Sequence, residues 1–434
     1  MIAPHASPHR DVAVVGGGII GLCVAEALAR RGADVVLLEA GSCGAAASAG
    51  NAGWVTPGLS NPVAAPGTVA KGLRWMLSPQ GPLRVRLNLR PSFLRWIYDF
   101  WRSCSPRRYA AGIAATVALT RRALDDFDAL AARVPRFEMH SRGVLFVSAS
   151  AAALEAESET LRQLQGSGYE GEVEVMDRDA ALAAEPALAP DLAGAILTPA
   201  ERHVRPETLT TALVSHLREQ GVELREGEAV TRLRRRPGGW SLGCGGAEIA
   251  ARRVVLAGGA ETATLLQPLG VRLPMEGAKG YSLTQAGPAL RLRRPIYLLD
   301  SKVAVSPFDD ALRLAGTLEL GTSGLGVDRR RVAGIEAAAR RSFSTWPEAG
   351  EWSTWAGMRP LLPDGLPALG PVPGHPDLHL ATGHSMLGVT LAPTTAAVLA
   401  PVVLDGSPSP ELAPFSIARF AQRRGGQYIN GGDK

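Results

Sequence analysis

The sequence predicts a mixed α/β fold: one domain on a parallel, doubly wound sheet, interleaved with a second domain on a mostly antiparallel sheet. Three observations carry that expectation. A strand, glycine turn, helix and second strand open the chain between Asp11 and Glu39. Far downstream, Arg253-Val-Val-Leu-Ala-Gly-Gly-Ala is another buried strand ending in glycines before a helix. Between Gly280 and Gly316 the strand patterns follow one another with no helical pattern between them, as in an antiparallel sheet.

The opening unit is the most specific. Val12 to Val15 form an apolar run suited to a strand buried on both faces, and Gly16, Gly18 and Gly21 follow in G-x-G-x-x-G spacing. An amphipathic, alanine-rich helix beginning with Ile19 and Ile20 runs to Arg31, where Gly32 stops it; Val35 to Leu38 make the next strand, ending at Glu39 and Ala40. This is a dinucleotide fingerprint with its Rossmann-like context intact. Gly16 permits the tight turn, Gly18 has no side chain to block a pyrophosphate, and Gly21 lets helix and strand pack closely. The helix N-terminus turns amides and a positive dipole end towards phosphates. Glu39 accepts hydrogen bonds from ribose hydroxyls and repels a 2′-phosphate, which argues for FAD or NAD over NADP.

Length and composition set the bounds. The chain has 434 residues, enough for two or three domains. No run of eighteen uninterrupted apolar residues occurs, so no membrane-spanning helix is expected. The first ten residues lack the apolar core of a secretory signal and read as a disordered extension, giving a cytoplasmic expectation. Cys23, Cys43, Cys104 and Cys244 lie far apart and read as reduced thiols, with no metal site expected. Cys43, in the expected cofactor loop, is either reactive or a filler. The formal charge of +5 is scattered, which is no nucleic-acid footprint, though it suits an anionic substrate or membrane surface.

After Glu39 comes a small-residue loop, Gly41 to Trp54, whose amides and Ser48 can reach phosphates unless it is a plain linker. Residues 55–82 read as irregular. From Leu83 to Tyr109 aromatics alternate with arginines in a helical pattern, which suits either a helix packed on a neighbouring domain or an interfacial membrane helix. A helix over Thr116 to Arg133, a strand at Gly143 to Val147 and a helix over Ala151 to Gly166 follow, with nothing catalytic in this block. Pro206 opens a helix to Gln220. The last glycine-rich turn, Gly383 to Thr390, precedes a helix from about Pro393 to Leu404 and can present amides to an anionic group. The expected division places 1–60, 193–270 and 355–434 in the first domain and 61–192 and 271–354 in the second.

These stretches resemble a known family. Val12 to Pro66, with Ala49-Gly-Asn-Ala-Gly and Ala64-Ala-Pro-Gly, resembles the small FAD-dependent D-amino acid dehydrogenases, within the wider D-amino acid oxidase and glycine oxidase group. Lys279-Gly-Tyr-Ser-Leu-Thr, Gly357-Met-Arg-Pro, Pro363-Asp-Gly and Thr382-Gly-His resemble the same family at the same relative places. The resemblance implies FAD, with Gly16, Gly18 and Gly21 at the pyrophosphate and Glu39 on the adenosine ribose. It places Ser48, Asn51, Ala52 and Gly53 along the cofactor towards the flavin, Val230 on the adenine side, and Ala257 and Gly258 at a second backbone approach. The turn with Gly383, His384, Leu387, Gly388, Val389 and Thr390 would face the flavin ring. Arg359 would hold the substrate carboxylate by a two-point bond that fixes which face of the α-carbon meets the flavin. Tyr281 would add a hydroxyl to the pocket or be a buried structural tyrosine. Lys302 also matches a family position.

Two positions depart from the pattern: Ser385 replaces the usual glycine after Thr-Gly-His, and Trp54 replaces the usual glutamine after Asn-Ala-Gly. Both would reshape the pocket and admit a cyclic imino acid such as D-proline or D-hydroxyproline. No cysteine follows Cys244, so a late covalent FAD tether is not expected. The expected function is oxidation of a D-amino or imino acid by hydride transfer to flavin N5, with a quinone-type electron acceptor; peripheral membrane contact through residues 83–109 stands as the alternative to a packed helix there. The alternatives are a glycine or sarcosine oxidase using oxygen, and a flavin subunit inactive without a partner.

Overall fold

The structure, a computed structural model, describes residues 9–76, 81–86, 88–288, 290–346, 351–407 and 409–421, and backbone alone at 423–424 and 427–428. Most of the stretch read as a disordered extension lies outside the described residues.

The first sheet is built on five parallel strands in the order Glu223–Arg225, Val35–Leu38, Arg10–Val15, Ala247–Leu256 and His375–Thr382. Val12, Ala13 and Val14 are fully buried, as strands covered on both faces require. Ala247–Leu256 is long enough to serve two partners on one side. Its first half pairs antiparallel with Gly239–Cys244, which carries Val230–Arg236, and its end pairs parallel with His375–Thr382. On one face lie the helices Ile19–Ala29, Pro206–Glu219 and Gly388–Asp405, packed around a single apolar core. Gly388–Asp405 is long and apolar enough to cross a bilayer, yet 72% of it is buried inside the fold, against Ile19–Ala29. It begins before Pro393, taken above as its start, and Gly406 in the left-handed region ends it.

The second sheet has nine strands among the described residues, ordered Trp352–Leu361, Glu276–Ala286, Ala311–Leu320, Val303–Pro307, Ile296–Leu298, Val144–Ser148, Gly194–Thr198 and Glu174–Asp177, with Leu83–Val85 pairing against Ala311–Leu320. It is antiparallel except where Ile296–Leu298 meets Val144–Ser148 and Leu83–Val85 meets Leu318–Leu320. Gly194–Thr198 and Trp352–Leu361 belong to this sheet. The chain therefore crosses back to the first sheet a few residues later than the expected boundaries at 193 and 355.

Three stretches fold differently from the sequence reading. The stretch 83–109 starts as the strand Leu83–Val85 and turns helical only at Pro91–Ser103, with Pro91 in the first turn where its missing N–H costs nothing. Thr116 to Arg133 is two helices, Pro106–Thr120 and Ala123–Arg133; the hydroxyls of Thr116 and Thr120 donate to carbonyls one turn back, a bond that bends helices. Thr68–Met76 is a helix inside the segment read as irregular. Gly72 weakened the signal, and a Cβ there would come within 2.9 Å of Leu83.

Candidate active site

Between the two sheets lies a cavity of about 2900 Å³, several times the roughly 300–1,000 Å³ of a small-ligand pocket. Its far end is the glycine turn. Gly16 has φ +109°, and a Cβ on it would sit 2.6 Å from the carbonyl of Ala257, so only glycine lets the two strand ends converge here. A Cβ on Gly18 would meet nothing closer than Ser48 Oγ at 3.5 Å, leaving backbone open to a ligand. Gly18 caps the helix Ile19–Ala29 with no side-chain bond, and no acidic residue lies in that first turn. Glu39 lines the cavity with its carboxylate fixed by two amides, Gly17 N–H at 2.6 Å and Gly41 N–H at 2.9 Å. Such a held acceptor suits ribose hydroxyls. Ile19, Ile20, Ala40, Val230, Ala257 and Gly258 complete this end.

Midway, Ser48 accepts from the Ile19 amide at 3.0 Å, and Asn51 and Ala52 carry the wall onward. A second uncapped helix start, at Leu387, Gly388 and Val389, points into the same space with no acid in its first turn. Two helix dipoles thus aim their positive ends at one elongated cavity. His384 lines it too, bonded through Nε2 to Thr395 Oγ1 at 3.0 Å; burial pushes its pKa down to about 3, so it is neutral at physiological pH. Burial, with Glu226 and Glu39 adding, pushes the Cys43 thiol up to about 12, which makes it no nucleophile.

The near end is defined by Arg359, on Trp352–Leu361. Its Nη1 donates to the Thr317 carbonyl at 3.1 Å, and among the described residues no carboxylate pairs with it. Burial lowers its pKa to about 10 while Tyr297 opposes the shift, so the guanidinium stays charged at neutral pH. Gly280 makes room for it, since a Cβ there would lie 1.8 Å from Nη1. Thr317 holds φ +64°, rare for a β-branched residue, on the segment whose carbonyl Arg359 binds. Tyr297 also lines this end, and burial keeps its hydroxyl protonated by raising its pKa. Lys302, φ +54°, sits with its ammonium 5.4 Å from the Tyr297 ring centroid. Glu157 faces both from the helix Ala151–Gly166, its pKa raised by burial against the pull of Lys302 and Lys71. A buried cation without an anion is costly unless a ligand supplies one.

The sequence profile of the FAD dependent oxidoreductase family matches residues 11–401, nearly the whole chain. The chain belongs to that family. Its fold is similar to glycine oxidase from Geobacillus kaustophilus, at 25% identity and a TM-score of 0.74, covering 94% of this chain and 98% of the other. It is also similar in fold to L-proline dehydrogenase from P. horikoshii (17% identity, TM-score 0.73, 95% and 98% covered). Iminodiacetate oxidase from Chelativorans sp. BNC1 is a third such likeness (21% identity, TM-score 0.69, 93% and 98% covered). The family's cofactor is FAD, and the glycine turn, the held Glu39 carboxylate and the two helix starts fit a long dinucleotide bearing a pyrophosphate.

The cavity brings most of the expected residues together and leaves five behind its wall. Gly21 packs the helix onto the turn, a Cβ there lying 1.9 Å from the Gly16 carbonyl. Gly53 and Gly383 are left-handed turn residues backed by Val204 and Leu362. Thr390 is occupied with backbone, donating to the Trp54 carbonyl at 3.0 Å and accepting from the Thr56 amide. Tyr281 is the main correction. It is 1% exposed and donates to Glu319 at 2.7 Å. Ala278 pairs with Arg359, so the even-numbered residues of Glu276–Ala286 share the Arg359 face and Tyr281 lies on the other. Tyr297 and Glu157 are not among the residues expected from sequence, and Glu157 comes from the block expected to hold nothing catalytic. Tyr297 had one signal: a polar-tipped aromatic alternating with Ile296 and Leu298.

Proposed function

We propose that this family member oxidises a D-amino acid or a cyclic imino acid such as D-proline or D-hydroxyproline and passes the electrons to a quinone-type acceptor. One observation carries the reading: the buried Arg359 guanidinium faces the cavity without a carboxylate partner among the described residues. A substrate carboxylate supplies that partner, bound through the nitrogens that Thr317 leaves free. The Tyr297 hydroxyl, held protonated, is a second donor beside it. Anchored there, the substrate's α-carbon is directed along the cavity towards the Gly388 helix start. Glu157 and Lys302 border the space left for its side chain.

FAD, when bound, would supply the two-electron oxidation as a hydride acceptor for the α-hydrogen, and the imine released would hydrolyse to a 2-oxo acid or persist as a cyclic imine. The chain's residues bind, orient and exclude water, and none needs to act as the base when the substrate amine is neutral. His384, neutral and bonded to Thr395, shapes the wall.

The test is an anaerobic absorbance scan of the purified flavoprotein against D-amino acids, L-amino acids, glycine, sarcosine and D-proline. Bleaching by D-forms or D-proline supports the proposal, and bleaching by L-forms alone refutes it. Bleaching by glycine or sarcosine with stoichiometric peroxide in air supports the second reading, an oxidase, which the 25% identity to a glycine oxidase favours. A yellow protein that bleaches with none of them is a subunit awaiting its partner.

A further inference from the structure

The cavity does not close at its near end; it opens between exposed apolar side chains. Val69, Leu73, Met76, Trp101, Leu325 and Met386 all line it, and each is at least 37% exposed. Val175 apart, the other exposed large hydrophobics among the described residues (Leu89, Leu94, Tyr98, Val327) lie on the segments that carry this rim. Soluble surfaces scatter such residues singly, and gathering them at one opening marks an interaction site.

Two helices supply most of the rim, and both repeat one spacing. Val69, Leu73 and Met76 fall at i, i+4 and i+7 on Thr68–Met76, and so do Leu94, Tyr98 and Trp101 on Pro91–Ser103. That spacing puts each trio on one face. Pro91–Ser103 already has a core face, Phe93 and Trp96, packed on Ala278, Leu320 and Leu361. Its outward apolar face is therefore surplus to folding.

Charge identifies the occupant. From Gly67 to Arg108 the chain has cations throughout and one acid, Asp99. Arg84, Arg86, Arg90 and Arg95 are paired with carboxylates. Arg74, Arg102, Arg107 and Arg108 are exposed and form no ion pair among the described residues. Arg102 lies 5.7 Å from the Tyr98 ring centroid, beside the apolar face. Apolar side chains flanked by unpaired arginines complement the boundary of an anionic bilayer, which takes the apolar groups below the headgroups and the cations among them.

We propose that the cavity mouth docks on an anionic lipid bilayer through the outward faces of Thr68–Met76 and Pro91–Ser103. Docked, the cavity opens to the acyl region, where lipophilic small molecules dissolve. The docking stands whether or not the electron acceptor is a quinone, because vesicle binding reads it without turnover.

The full chain with FAD bound is pelleted with vesicles of phosphatidylcholine and phosphatidylglycerol, and with phosphatidylcholine alone. The expected result is co-sedimentation with the anionic vesicles only, weakening as salt rises. Arg102→Gln should lower the partition roughly fivefold. Leu94→Glu and Tyr98→Glu, at half-exposed positions outside the cavity lining, should lower it roughly tenfold or more while the flavin absorbance stays unchanged. No binding to anionic vesicles at low salt overturns the proposal. So does binding that Leu94→Glu and Tyr98→Glu leave intact, which is charge attraction alone. A dimer in solution that Tyr98→Glu splits also overturns it, assigning the face to a second copy of the chain.

Discussion

The Arg313 guanidinium donates to the Asn51 carbonyl at 2.8 Å and, through the same nitrogen, to the Ala49 carbonyl at 3.0 Å. Arg313 belongs to the second sheet, on Ala311–Leu320, while Ala49 and Asn51 belong to the small-residue loop that lines the cavity. Its Nε donates to Thr284 at 2.9 Å, and its other terminal nitrogen pairs with Glu207. One nearly buried side chain thus ties a loop that lines the cavity to the sheet that carries Arg359. Arg313→Met leaves both carbonyls without their donor, a cost of about 1–3 kcal/mol for each buried group. FAD affinity should fall tenfold or more in a titration of flavin-stripped protein. Arg313→Lys, with a point charge in place of the planar fork, should fall between the two. An unchanged affinity would remove the tie.

Arg359→Leu should raise KM roughly a hundredfold, the worth of about two charge-assisted hydrogen bonds, with the bound-flavin spectrum unchanged. The same residue gives a pH signature. Carboxylate binding needs the cation, and burial lowers the Arg359 pKa to about 10. The Kd of benzoate, a carboxylate with no amine to titrate, should therefore be flat below about pH 9 and rise above pH 10. A Kd indifferent to alkali would place the carboxylate elsewhere.

The two tyrosines should separate cleanly. Tyr297→Phe removes a donor from the cavity and should raise KM several-fold at constant Tm. Tyr281→Phe leaves the cavity untouched but deprives the buried Glu319 of a bond at 2.7 Å. It should lower stability by about 1–3 kcal/mol in denaturant unfolding with KM nearly constant. The reverse pattern would restore Tyr281 to the substrate pocket.

That contrast shows what was legible in the sequence. Gly16, Gly18 and Glu39 could be read because the fingerprint is local: strand, turn and helix are contiguous, and each glycine has its own steric task. The place of Arg359 on the cavity was legible through a short motif. Tyr281 shares a motif with Gly280, yet strand alternation turns the two to opposite faces, and only the pairing of Ala278 with Arg359 says which face meets the cavity. Glu157 lies about two hundred residues from Arg359, on a helix with nothing unusual in its composition, and tertiary packing alone brings it to the site. The membrane alternative for 83–109 rests on aromatics and arginines in sequence. Which of those aromatics stay outside the core depended on Phe93 and Trp96 turning inward.

Glu201 gives a stability signature independent of the site's chemistry. It is fully buried, accepting from the Gly58 amide at 2.6 Å and from the Tyr169 hydroxyl at 3.0 Å, and burial pushes its pKa from an ordinary 4.5 up to about 8. Between those values the folded chain keeps this proton and the unfolded chain has lost it. More protons bound in the folded state means stability falls as pH rises. The contribution is fully present below about pH 4.5 and is lost as pH climbs through about 8. Other buried carboxyls, Glu157 and Glu276 among them, tilt the curve the same way, so the difference between two proteins isolates this one. Glu201→Gln keeps an acceptor for Gly58 and Tyr169 without a titrating group. Its Tm should fall less steeply than that of the parent between about pH 5 and pH 9. Parallel curves would mean that Glu201 titrates alike in both states and that its burial is relieved by water.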